Sequence, residues 1–232
     1  MPNHVTNKIE ITSANAKEAL EFMQSADRQF DFNKIIPMPE SLDIEESSLK
    51  DSAFVYALTD AYKDDKYAVP FRHRVFFGSI FNQFSDWNSE LERSQVDFER
   101  IKDDETKLND FIELGKKVLE NFNKFGCSSW YQWCPKNWGT KWNAYDIVEA
   151  ENSIQFDTAW RSPIPVTDAL IKKFNLSCTF KAYDEGANFW FIKEYKDGVL
   201  VSDRASLEED KKQLALELKG WDLDSDEWNE EE

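Results

Sequence analysis

Seven glycines, two histidines and three cysteines in 232 residues leave little material for the common reaction centres. Phosphate-cradling loops need closely spaced glycines, and neither GxGxxG nor GxxxxGK[ST] occurs. HExxH and GxSxG are also absent, so nucleotide-dependent and familiar hydrolytic chemistries lose their signatures. Cys127, Cys134 and Cys178 are odd in number and form no CxxC pair. The Cys127–Cys134 spacing is not that of a zinc ribbon, so reduced thiols are expected, with no metal and no cofactor.

Long apolar runs are missing as well. Those present, such as Val75-Phe76-Phe77, fall far short of the roughly 18 residues of a membrane helix. The start, Met1-Pro2-Asn3-His4, has no basic segment followed by an apolar one, so no secretory signal is read and a cytoplasmic location is expected. A basic excess is absent too. The net charge is −17, and it is uneven. Residues 1–39 carry four basic and five acidic side chains, residues 40–125 twelve and nineteen, residues 126–220 twelve and fourteen, and residues 221–232 none and seven. The acid thus gathers in a middle segment and a tail. Such a surface repels nucleic-acid phosphate and attracts basic partners.

What the chain has is aromatic and apolar side chains in quantity: 41% hydrophobic and 15% aromatic residues are enough for a packed core. Five of nine tryptophans lie in residues 126–160, around Asn137-Trp138-Gly139-Thr140-Lys141-Trp142-Asn143-Ala144-Tyr145-Asp146. Two Trp four apart share a face in a helix or a strand, and Lys141, Asn143 and Asp146 add charge and hydrogen bonding. Trp138 and Trp142 are expected to be largely buried, anchoring the connection to the segment before them, with Lys141 and Asn143 exposed for binding.

The β-branched residues of 4–12 predict a strand, and Ala19, Leu20, Phe22 and Met23 predict a helix over 16–26 capped by Asn15. Residues 30–39 read as extended and closed by prolines. From 40 to 125 the texture is charged and helical, with one stripe at Trp87, Leu91, Phe98 and Ile101. A second, at Leu108, Phe111, Ile112, Gly115, Leu119 and Phe122, stops at Gly126. Strands at 145–149 and 153–158 flank a Glu151-Asn152 turn, and a helix over 167–174 follows Pro163-Ile164-Pro165. Strands at 177–183, 187–195 and 199–202 and a helix over 206–218 complete the pattern, with 222–232 a mobile acidic tail. The expected fold is α+β: a ferredoxin-like βαββαβ core from residues 1–39 and 126–205, a helical insertion at 40–125, a C-terminal helix at 206–220 and the tail at 221–232.

Five separated stretches carry a resemblance. They are Met1 to Asn7, Ile35-Ile36-Pro37-Met38-Pro39, Asn137 to Asp146, Phe156 to Trp160 with Ser162-Pro163, and Tyr183-Asp184-Glu185-Gly186-Ala187-Asn188-Phe189. In this order they resemble the YubB-like family of ferredoxin-like proteins of plasmids and phages. The likeness covers residues 1–39 and 126–200, and Arg161 departs from it where a smaller or apolar residue is expected. It implies a ferredoxin-like fold and a mobile-element origin, hence a bacterial host cell, and no settled activity.

Two chemistries remain to be placed. For acid–base work His4 needs a carboxylate within hydrogen-bond reach, and Asp146 and Asp184 are the candidates; otherwise it is a strand-end histidine bonded to backbone. His73, between Arg72 and Arg74, has no partner pattern. For binding, the candidates are Trp138, Lys141, Trp142, Asn143, Trp160, Glu185, Trp221 and Trp228. Trp138, Trp142, Tyr145 and Trp160 suit nucleobase stacking as well as a core, but only Lys136, Lys141 and Arg161 stand nearby to hold phosphate. The tail either solubilises the chain or docks through Trp221 and Trp228. The leading expectation is a mobile-element accessory protein that binds a protein with a basic surface, as an acidic inhibitor of a host nucleic-acid-handling or defence protein. The alternatives are an enzyme built around His4 and Asp146, or single-stranded nucleic-acid binding through the Trp-rich stretch.

Overall fold

The computed structural model describes residues 3–61 and 86–225; His73, the Val75-Phe76-Phe77 run and Trp228 lie outside them. The chain divides into two compact units, Met1–Met38 with Cys134–Glu232, and Pro39–Trp133. The texture change read at Gly126 is therefore the end of one helix, and the division falls at Trp133, inside the next one.

The first unit is built on strand β1 (His4–Ile11), helix α1 (Ala16–Phe22), strands β2 (Tyr145–Ala150) and β3 (Ser153–Ala159), a helix at Ile164–Phe174, and strands β4 (Cys178–Asp184), β5 (Trp190–Lys196) and β6 (Val199–Ala205). Their order in one antiparallel sheet is β2-β3-β1-β4-β5-β6. The first four strands have the ferredoxin-like arrangement, and β5 and β6 extend it as a hairpin.

Strand alternation sorts the side chains between two faces. On one face Ile9 stands opposite Ile154 and Phe180, and Asn7 opposite Phe156 and Ala182, all buried. Phe30 and Phe32 pack edge-on against Phe156 there. The helix at Ile164–Phe174 lies on this face, where the Tyr195 hydroxyl donates to Asp168 Oδ1 at 2.6 Å, and α1 meets it through Phe22 and Phe174. On the other face the C-terminal helix (Glu208–Lys219) covers Tyr183, Trp190 and Ile192 with Leu214, Ala215 and Leu218. Its Glu217 bonds both Lys8 and Lys181, which also pair with Glu10.

The second unit holds α2 (Ser48–Ala61), α3 (Trp87–Ile101), α4 (Glu105–Phe125) and the start of α5 (Trp130–Asn137). The helices at Ile164–Phe174 and Glu208–Lys219 are accordingly α6 and α7. Ile44, Phe54, Leu58, Val118 and Phe122 form the core of this unit. Gly115 lets α2 and α4 touch, since a Cβ there would stand 2.3 Å from Ala53 O.

Candidate functional site

Strand β4 ends at Asp184 and the chain turns back through Glu185, Gly186 and Ala187, the last with φ of 51°. The turn closes on its own backbone: Ala187 N donates to Asp184 O at 2.8 Å, and Asp184 N to Phe189 O at 3.1 Å. Asp184 itself is 1% exposed. Its Oδ2 accepts from Asn188 Nδ2 at 2.6 Å, from Asn188 N at 3.1 Å and from Asn3 Nδ2 at 3.4 Å. No lysine or arginine among the described residues pairs with it. A buried carboxylate is costly unless compensated, and here amides alone compensate it.

Asp184 lines a cleft of about 710 Å³. Its walls are mostly apolar: Trp160, Ile164, Pro165, Phe189, Trp190 and Phe191, with Gly139 among them. Its polar lining is Asn3, Arg161, Ser162, Asp184, Asn188 and Ser206. Volume and composition are those of a ligand site. Gly139, at φ of 83°, is required, because a Cβ would stand 2.8 Å from Pro165 Cδ. Trp160 takes φ of 69°, a region bulky residues rarely occupy, and stays 50% exposed. Its N–H donates to Asn3 O at 2.9 Å, tying it to the amide that faces Asp184. Ser162 is buried, and its Oγ has no hydrogen-bond partner among the described residues.

The start of α6 offers the cleft few free N–H donors. Pro165 has no N–H, while Ile164 N and Thr167 N already donate to Ser162 O and Pro163 O. With Asp184 beside it, this helix end does not suit an anion.

The structure separates the residues expected to act with His4. Val5 stands opposite Asp184 in the β1–β4 ladder, so Asp184 lies on the Val5 face and His4 on the other. Asp146 sits at φ of 49° in the irregular stretch of β2, exposed. The partner of His4 is instead Tyr145, whose Oη is 2.7 Å from His4 Nδ1 with the rings edge-on. No carboxylate among the described residues hydrogen-bonds to His4, so neither expected pair forms. Burial and the charges of Asp157, Asp146 and Glu185 push the Tyr145 hydroxyl up to about 12. Glu185 thus belongs to the His4–Tyr145 side, where its N–H donates to His4 O at 3.0 Å.

The Trp-rich stretch divides differently from expectation. Trp138 is buried and donates Nε1–H to Ile36 O at 2.8 Å. Trp142 is 38% exposed, with the Lys141 ammonium 5.1 Å from its ring. Asn143 is structural: its Oδ1 accepts from Phe32 N at 2.9 Å and its Nδ2 donates to Asp31 at 2.8 Å, which holds the 3₁₀ turn at Phe32–Lys34. Trp221, expected at the start of the acidic tail as a docking residue, packs edge-on against Tyr183 and joins Leu223 on the core cluster under α7. Cys127, Cys134 and Cys178 are buried free thiols, and burial raises Cys178 to about 12. No group of metal-ligating side chains occurs among the described residues, and no helix among them is long and apolar enough to cross a membrane.

Trp160 and Asp184 are the sequence candidates that the cleft brings together. Asn3, Ser162 and Asn188 were not singled out individually. Their signal was membership of three of the stretches that carry the resemblance, which meet here with a fourth at Gly139.

No curated protein matches the chain. Among solved structures, the crystal structure of protein Api92 from Yersinia pseudotuberculosis is similar at 13% identity, over 88% of this chain and 98% of that one, with a TM-score of 0.37. Residues 137–231 match a family model described as the ferredoxin-like domain in Api92-like protein, so this part of the chain carries a ferredoxin-like domain.

Proposed function

We propose that the protein is an accessory factor of a plasmid or phage, related to the YubB-like proteins, that acts in the host cytoplasm by binding a protein with a basic surface. The cleft beside Trp160 is its recognition point. The observation that carries this reading is Asp184, a buried carboxylate in an aromatic cleft with which no lysine or arginine among the described residues pairs. A positive group brought by a partner completes that arrangement. Acid–base catalysis has less support, because His4 pairs with a tyrosine and lies on the other face of the sheet. The overall charge of −17 favours the approach of basic proteins, including those with grooves made for nucleic acid, and inhibition of a host defence or nucleic-acid-handling protein is the matching role.

The test is affinity capture from host lysate at moderate salt with the wild type, Asp184→Asn and Trp160→Ala. A basic protein retained by the wild type and lost by both variants supports the reading. Capture that neither substitution alters, or no basic protein at all, sinks it.

A further inference from the structure

We infer that the cleft takes the guanidinium of an arginine side chain presented by the partner, an inference that rests on the binding reading above. Two acceptors on residues of the lining lack donors from the described residues. Asp184 Oδ2 already accepts three bonds, while its Oδ1 has none from the described residues. Ser162 Oγ is buried with no partner among the described residues. The missing group must therefore supply several N–H donors and a positive charge, and must fit between aromatic walls.

A guanidinium meets each requirement. It carries five N–H donors in one plane and no acceptor that would face the carboxylate. It is weakly hydrated, so entry into an apolar cleft costs it less than it costs an ammonium. Its flat face stacks on an indole, and Trp160 offers one that is half exposed at this site. The strained backbone of Trp160 and its bond to Asn3 O keep that indole beside the Asn3–Asp184 pair. A phosphate-bearing ligand fits worse, since Asp184 repels it and two N–H groups of the first turn of α6 are already used. Arg161 is exposed, so its repulsion of an incoming cation is screened by water and salt.

The experiment titrates the full chain with acetylated, amidated Gly-Arg-Gly, following the indole N–H resonances by NMR, with Trp160 assigned through Trp160→Phe. Parallel titrations use the Gly-Lys-Gly and Gly-citrulline-Gly peptides and guanosine. The Trp160 signal is expected to move with the arginine peptide. Citrulline, which keeps the shape and loses the charge, should bind about tenfold more weakly. Asp184→Asn should cost the arginine peptide a similar factor, and Arg161→Ala should strengthen its binding. The comparison of arginine with citrulline uses unaltered protein, so it holds even if Asp184→Asn does not fold. Equal binding of the lysine or citrulline peptide, a guanosine response without an arginine response, or no movement of Trp160 overturns the inference. If lysate capture depends on the cleft while the arginine peptide is silent, the guanidinium assignment falls and the binding reading stands. If the peptide binds while capture ignores the cleft, the binding reading fails and the guanidinium site remains.

Discussion

Asn188 Nδ2 lies 2.6 Å from Asp184 Oδ2, and with the Asn188 backbone N–H at 3.1 Å it makes one residue the main donor to a buried carboxylate. Asn188→Ala removes the shorter bond and keeps the backbone one. The variant should lose about 1–3 kcal/mol of stability, the usual cost of under-satisfying a buried charged acceptor, measured by urea unfolding. No loss would mean that the carboxylate is solvated from the cleft.

Gly186 sits against both amides that serve Asp184. A Cβ there would stand 2.6 Å from Asn188 Nδ2 and 2.7 Å from Asn3 Nδ2, both ends of movable side chains. Gly186→Ala should therefore displace both amides from Asp184 and lose at least as much stability as Asn188→Ala, about 1–3 kcal/mol by urea unfolding. Partner capture should weaken as well.

Trp160→Gly opposes two effects. Relief of backbone strain at φ of 69° is favourable by about 1–2 kcal/mol, and loss of the half-buried indole is unfavourable by a similar amount. The net change should stay within about 1 kcal/mol, while binding at the cleft is abolished. A large destabilisation would instead make Trp160 a core residue.

Trp138 and Trp142 should differ sharply despite their shared spacing. Trp138→Ala removes a buried indole and its bond to Ile36 O, at a cost of about 3–5 kcal/mol. Trp142→Ala removes a partly exposed ring and should cost about 1 kcal/mol or less.

Strand β1, read from its β-branched residues, the β4–β5 turn at Asp184–Gly186 and the helical stripe of Phe111, Gly115 and Phe122 were legible because local composition and periodicity report local structure. The cleft was not. Asn3 and Asp184 are 181 residues apart, and nothing in their local sequence signals a bond that only the β1–β4 register creates. That register also sets His4 and Asp184 on opposite faces, which no spacing within either strand reveals. Trp142 was misjudged because Trp138 and Trp142 do not belong to one helix or strand: α5 ends at Asn137, and Gly139, at φ of 83°, turns the chain between them. Its neighbour Asn143 was misjudged because a polar side chain can be consumed by a turn, as it is here by Asp31 and Phe32.

Tyr145 offers a test of the second sheet face by pH. Its folded pKa of about 12 lies above the ordinary tyrosine value of about 10, so the folded state holds the phenolic proton more tightly. This contribution to stability is complete below pH 10 and is lost as pH rises towards 12. Tyr183 and Tyr195 are raised as well, so ultraviolet titration should show several late tyrosines, of which the one near pH 12 disappears in Tyr145→Phe, together with that part of the alkaline loss of stability.

The central claim is that a partner protein engages the cleft beside Trp160 and Asp184. Its most direct test is an NMR titration of the full chain with the captured basic protein, read at the tryptophan indole N–H signals. The account predicts that Trp160 shifts with saturation, that buried Trp138 stays in place, and that Asp184→Asn suppresses the Trp160 response. A partner that binds while Trp160 stays unmoved, with Trp142 or Trp130 responding instead, would contradict it.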